Sequence, residues 1–124
     1  MTALGAPRTR PDRAAWAAVC GIGRLVPGRG VAALVDGRAV AVFLLPSGAL
    51  HAIDDRDPCS GASVLSRGIV GDVDGAPTVA SPMYKQRFDL RTGRCLDADV
   101  PPLDVHDVRL DDDGVVQVRR RDSR

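Results

Sequence analysis

The sequence predicts an all-β domain, and three observations carry that expectation. Turn signals recur at short intervals: Asp36-Gly37, Pro46-Ser47-Gly48, Asp74-Gly75, Thr92-Gly93 and Asp113-Gly114. Between them lie short runs rich in Val, Leu, Ile and Ala, the pattern of many strands in a small barrel or sandwich. The usual surface helix formers are missing: there is no Glu, Lys85 is the one lysine, and 13 Gly and 9 Pro interrupt the chain.

The elements follow in order. Residues 1–13 are rich in Pro and Arg, have no apolar stretch and read as a disordered leader. One domain is expected over 14–119, followed by a basic tail at 120–124, with Arg119-Arg120-Arg121 read as a solvated run. Val31–Val35 and Ala39–Leu45 flank Asp36-Gly37, the strongest short hairpin signal a sequence offers. Further strands are expected at Leu50–Ile53, Thr78–Ala80, Arg87–Leu90, Val105–Leu110 and Val115–Val118. The alternation in Val105–Leu110 turns Val108 and Leu110 inward, and His106 shares their parity as a partly buried strand histidine. Trp16, Phe43 and Phe88 are candidate core residues.

Composition excludes several classes. The net charge is +1 with no basic stripe, so nucleic acid is not an expected partner. No apolar stretch reaches the ~18 residues a membrane span needs, and a cytoplasmic location is expected. Three cysteines, Cys20, Cys59 and Cys95, form no CxxC pair and no disulfide framework. His51 and His106 fit no zinc spacing. Gly21-x-Gly23 is followed by Val26 where a dinucleotide fingerprint needs its third glycine. Asp54, Asp55 and Asp57 have no calcium-loop spacing and read as solvated loop acids; Asp111-Asp112-Asp113-Gly114 reads as a hairpin turn.

Two segments break the strand rhythm: the long connection 54–68 and the loop 81–86, and ordered loops of this kind often carry function. The first holds Asp57-Pro58-Cys59-Ser60-Gly61-Ala62. The second opens Ser81-Pro82-Met83-Tyr84-Lys85-Gln86 and continues through Phe88-Asp89 to Thr92-Gly93. Together, within 54–93, they resemble the two boxes of a Rieske domain, C-P-H-x-G-A and C-P-x-H followed by F-D and a T-G turn. The resemblance implies a Rieske-type (ISP-like) small barrel or sandwich with an inserted two-loop subdomain. The framework residues match, but the four ligand positions hold Asp57, Cys59, Ser81 and Tyr84. A Rieske cluster takes two thiolates and two imidazoles. These four residues offer one sulfur, at a histidine position, so no bound metal or cofactor is expected. Cys59 reads first as an inert small residue filling the histidine position; beside Arg56 it is also a candidate for oxidation.

The longer runs 57–72 and 79–93 resemble the small subunit of the assimilatory NAD(P)H-dependent nitrite reductase. That resemblance implies a non-catalytic subunit, inactive alone, that supports reduction of nitrite to ammonium in nitrate assimilation. The implied partner is a large subunit carrying FAD, sirohaem and a [4Fe-4S] cluster. It also implies that the loop tip meets that partner, through Arg67, Tyr84, Lys85, Gln86 and Arg87. Two alternatives stand beside it: a Rieske-type [2Fe-2S] ferredoxin or oxygenase component, and a stand-alone binding module.

Overall fold

The computed structural model describes residues 16–121. The strands are β1 (Ala17–Gly21), β2 (Gly30–Val35), β3 (Arg38–Leu44), β4 (Leu50–Asp54), β5 (Ile69–Val73), β6 (Ala76–Ala80), β7 (Arg87–Asp89), β8 (Val105–Leu110) and β9 (Val115–Arg119). Two short 3-10 turns, Ile22–Arg24 and Leu65–Arg67, complete the regular structure.

The strands form an antiparallel six-stranded sheet in the order β1-β9-β8-β4-β3-β2 and an antiparallel three-stranded sheet, β5-β6-β7. The larger sheet curls on itself. Val116 and Val118 of β9 share one core with Val35 of β2 and Val40 and Val42 of β3. Arg120 reaches across the gap and donates to the carbonyls of Val35 and Asp36 at 3.4 and 3.0 Å. The result is a nearly closed barrel with the smaller sheet laid against it, the all-β Rieske-type architecture expected.

The run Ala39–Leu45 is continuously apolar because β3 is buried on both faces. Val40 and Val42 point into the barrel, while Ala41 and Phe43 join Ile53, Val79, Phe88 and Leu90 in a second core under the three-stranded sheet. Both phenylalanines are fully buried, each contributing about 1.5–3 kcal/mol over an exposed side chain. Two hairpins close on adjacent positive-φ residues, Asp36 (52°) with Gly37 (80°) and Asp74 (52°) with Gly75 (87°), the twist a two-residue turn needs.

Several expectations change. β1 and β5 have weak β propensity, Ala-rich in one case and interrupted by Gly71 and Asp72 in the other; pairing with β9 and β6 makes them strands. Leu110 is exposed, because β8 runs past the end of the core before the turn at Asp111. Trp16 is not among the core residues: it is half-buried, and the guanidinium groups of Arg109 and Arg119 lie over its ring at 4.0 and 4.6 Å from the centroid. Arg119–Arg121 is no solvated run. Arg119 pairs with Asp107 at 2.8 Å, Arg120 makes the bonds above, and the Arg121 N–H donates to His106 Nδ1 at 2.9 Å. The expected leader, 1–13, lies outside the described residues.

His106 is buried rather than half-buried, and its Nε2 donates to Asp54 at 2.8 Å, so the Arg121 bond fixes the Nε2–H tautomer. Arg38 bridges Asp54 and Asp104 at 2.8 and 2.9 Å. Burial works against the Asp54 charge, but hydrogen bonds from His106 and Arg38 outweigh it and hold its carboxyl below the ordinary value. A carboxyl depressed in this way stabilises the fold above its unfolded pKa, and that contribution vanishes as pH falls through the folded value. Asp54→Asn should therefore be less stable than the parent at neutral pH, and the gap should close as pH falls through the lowered Asp54 value, below the ordinary carboxylate range. A gap in melting temperature that stays constant over that range would show that the charge is not the cause.

Candidate functional site

The two box loops meet at the end of the three-stranded sheet. Each is first closed by its own backbone. In the first loop Asp57 N–H donates to the Ala62 carbonyl at 2.8 Å and Gly61 N–H to the Asp57 carbonyl at 2.7 Å. In the second, Ser81 N–H donates to the Gln86 carbonyl and Lys85 N–H to the Ser81 carbonyl, both at 2.9 Å. Lys85 sits at φ 68°, a left-handed conformation that costs a non-glycine residue about 1–2 kcal/mol.

Side chains then join the loops at one buried carboxylate. Ser81 Oγ donates to Asp57 Oδ2 at 2.5 Å, and Gln86 Nε2 donates to Asp57 Oδ1 at 2.8 Å. The Cys59 backbone N–H adds a third bond to Oδ1 at 2.8 Å. Asp57, Ser81 and Gln86 are all buried. Ser81 Oγ in turn accepts from the Met83 N–H at 3.2 Å, which leaves its hydroxyl proton for Asp57. Gln86 must turn its amide nitrogen to the carboxylate, since the reverse would oppose two acceptors. Its Oε1 is thereby left buried without a partner among the described residues.

The four ligand positions thus divide. Asp57 and Ser81, at the two cysteine positions of the box pattern, are buried and bonded to each other. Cys59 and Tyr84, at the two histidine positions, are exposed at the tip. A [2Fe-2S] cluster does not fit this set. The Asp57 carboxylate is engaged by three donors, Ser81 brings a hydroxyl, and one sulfur is present among the four positions. No group of three His, Cys, Asp or Glu side chains placed to hold a metal occurs among the described residues.

The neighbouring acids are not solvated either, contrary to expectation. Asp55 is buried and accepts from the Ser66 N–H at 2.6 Å, tying the connection 54–68 to its 3-10 turn, and Asp54 serves the His106 network. Asp111 does form the expected turn, accepting from the N–H groups of Asp113 and Val115 at 2.9 Å.

Of the residues expected at a partner surface, Arg67, Tyr84 and Lys85 are exposed. Gln86 is not available, because its side chain points inward to Asp57. Arg87 is exposed but held by Asp97 in a paired geometry of 2.8 and 3.0 Å. That bond keeps the Asp97 carboxyl down at about 2. Sequence reasoning missed Ile69, which is 72% exposed. It opens the edge strand β5 directly opposite Ala80, the residue before the second loop. The Asp74-Gly75 hairpin signal implied such a strand and is the cue that was available.

This arrangement defines a class: a Rieske-type domain whose ligand positions have become a hydrogen-bonded joint. Residues 15–119 match the family described as "Rieske-like [2Fe-2S] domain". The nitrite reductase (NADH) small subunit of Salmonella typhimurium is 43% identical over 105 residues, covering 84% of this chain and 96% of that one. A crystal structure from Mycobacterium tuberculosis, named as an NADH-dependent nitrite reductase small subunit, superposes with a TM-score of 0.85 at 45% identity, covering 90% of this chain and 99% of that one. The chain belongs to the nitrite reductase small-subunit family within the Rieske-like domains. A different kind of relative is the nitrite reductase [NAD(P)H] large subunit of Klebsiella oxytoca. It is 42% identical over 82 residues, covering 66% of this chain but 8% of that protein.

Proposed function

We propose that the chain is the small accessory subunit of an NAD(P)H-dependent nitrite reductase and acts in complex with the large subunit, in the cytoplasm. The observation that carries this reading is the joint at Asp57. A domain of this fold transfers electrons through a cluster, and here the cluster's positions hold a carboxylate, a hydroxyl, a phenol and one thiol. Reduction of nitrite then runs on redox groups of the large subunit, for which the family resemblance implies FAD, sirohaem and a [4Fe-4S] cluster. The small chain contributes association, not electron storage. The Klebsiella relative supports this, since there a stretch like this chain forms part of the large-subunit polypeptide itself.

Purified chain should have no visible absorbance, before or after anaerobic incubation with iron and sulfide. It should not reduce nitrite with NADH, NADPH or reduced viologen, while adding it to the large subunit should raise turnover. A stoichiometric [2Fe-2S] spectrum, or nitrite reduction by the chain alone, would reject the proposal.

A further inference from the structure

One edge of the three-stranded sheet is bare. The edge on β7 is capped by the segment 94–96: the Asp89 N–H donates to the Arg94 carbonyl at 2.9 Å and the Leu96 N–H to the Arg87 carbonyl at 2.8 Å. No described segment pairs with the outer edge of β5. Which of its groups face outward follows from the register. The turn Asp74-Gly75 closes on Val73 opposite Ala76, so the bonds to β6 run through Val73, Gly71 and Ile69 in alternation. Asp72 lies opposite Pro77, which has no N–H and whose carbonyl accepts from the Leu90 N–H at 2.9 Å. The backbone N–H and C=O of Val70 and Asp72 therefore point away from β6. Such an edge is a template for another strand, and natural edges are blunted by Lys, Pro or a bulge. β5 has none of these. It reads Ile69-Val70-Gly71-Asp72-Val73, pairs with β6 without a register break, and opens on an Ile69 that is 72% exposed.

The side chains along this edge complement themselves. Arg67 precedes the strand and Asp74 follows it; both are exposed, and neither has an ion pair among the described residues. Positive charge thus sits at one end of β5 and negative charge at the other, where Asp72 adds to it. An antiparallel copy of the same strand reverses that order. A two-fold axis at Gly71 sets Val70 opposite Asp72 of the second copy, as a pair that exchanges both of its N–H···O bonds. It sets Ile69 opposite Val73 on one face and brings Arg67 to the Asp74 end of the second copy. At the axis two glycines meet in a closely spaced pair, and a glycine inside a strand often marks the approach of another backbone. The chain's own fold does not require this glycine. Its φ is not left-handed, and a Cβ there would meet only the Thr78 hydroxyl oxygen, at 3.4 Å.

We infer that β5 pairs with β5 of a second copy of this chain, antiparallel about Gly71, and joins the two three-stranded sheets into one. Among two-fold registers, this one engages both Val70 and Asp72 and answers the charge at both ends. The occupant is a second copy because the surface that receives β5 is on the same molecule: the same bare edge, the same apolar residues, and opposite charge at opposite ends. A contact between identical patches closes on itself, so assembly stops at the dimer. The strand is short, 5 residues. The contact therefore lies at the small end of specific interfaces, and the dimer forms in the micromolar to millimolar range.

Sedimentation velocity of the full chain, from micromolar to millimolar concentration, reads this equilibrium. The parent should shift from monomer to dimer. Asp72→Pro removes an outward donor without costing β6 a bond, and should stay monomeric throughout. Arg67→Asp and Asp74→Lys should each associate about tenfold or more weakly, because each sets like charges against one another. The backbone at Asp74, φ 52°, accommodates lysine, as Lys85 at φ 68° shows. Mixing these two variants in equal amounts should restore the dimer, since each new charge then meets its opposite. Melting curves confirm that each variant is folded. A parent that stays monomeric at millimolar concentration overturns the proposal; if Asp72→Pro then weakens binding to the large subunit, the edge belongs to that partner instead. A dimer that survives Asp72→Pro, or a mixture that stays monomeric, overturns it as well and places the contact on another surface.

Discussion

Asp57→Ala should destabilise the domain by about 3–5 kcal/mol, because a buried donor left without an acceptor costs on the order of 1–3 kcal/mol. The change strands the Ser81 hydroxyl, the Gln86 amide and the Cys59 N–H together. Some of that cost is recovered, since the carboxylate no longer has to be desolvated and water can enter beside the exposed residues of the loop. Ser81→Ala should cost less, about 1–2 kcal/mol, because Asp57 keeps two of its three donors. The double variant should then cost far less than the sum of the two, since Ser81 has no acceptor to lose once Asp57 is gone. Urea unfolding of the parent, both single variants and the double variant measures all three quantities. Additive effects, or an Asp57→Ala cost under about 1 kcal/mol, would mean that the carboxylate does not hold the loops together.

The joint also shows what the sequence could and could not reveal about the site. The box spacing placed Asp57, Ser81, Cys59 and Tyr84 at one end of the fold, because loops between fixed strands can reach few places. It did not show that the residues at the two cysteine positions face each other while those at the histidine positions face solvent. That division depends on side-chain direction within irregular loops, which no period encodes. Gln86 was misassigned for the same reason. A polar residue between exposed Lys85 and exposed Arg87 looks like surface, and its inward turn comes from the Ser81–Gln86 backbone bond, which aims the side chain at Asp57.

The strands were legible where packing and propensity agreed. β3 is an unbroken apolar run because both its faces are covered, and Asp36-Gly37 forecast its hairpin. β1 and β5 were hidden because pairing, not composition, makes them strands. The loop acids were misread through a general habit of exposed aspartates. Asp54, Asp55 and Asp57 each found a donor that only the fold brings near: His106, the Ser66 N–H and the Ser81 hydroxyl.

The glycine of the Thr92-Gly93 turn yields the second large effect. Gly93→Ala should cost about 3 kcal/mol or more, from two sources. Its φ is 80°, and a Cβ in that region costs about 1–2 kcal/mol by itself. That Cβ would also lie 2.1 Å from the Leu103 carbonyl oxygen, a backbone atom that cannot rotate away. Relieving the clash would break the Leu103 N–H bond to the Gly93 carbonyl, 2.9 Å long, and draw the buried Leu103 side chain out of the second core. Overpacking of this kind typically adds 1–3 kcal/mol. Gly75 provides the control. Its φ is 87°, but nothing lies within 4 Å of its would-be Cβ, so Gly75→Ala carries the backbone cost alone. Thermal unfolding of the two variants therefore separates conformation from contact. Gly93→Ala should be the less stable by about 1–3 kcal/mol. Equal losses at the two sites would mean that the 90s loop yields freely and that the motif glycine is needed for its φ, not for the approach of Leu103.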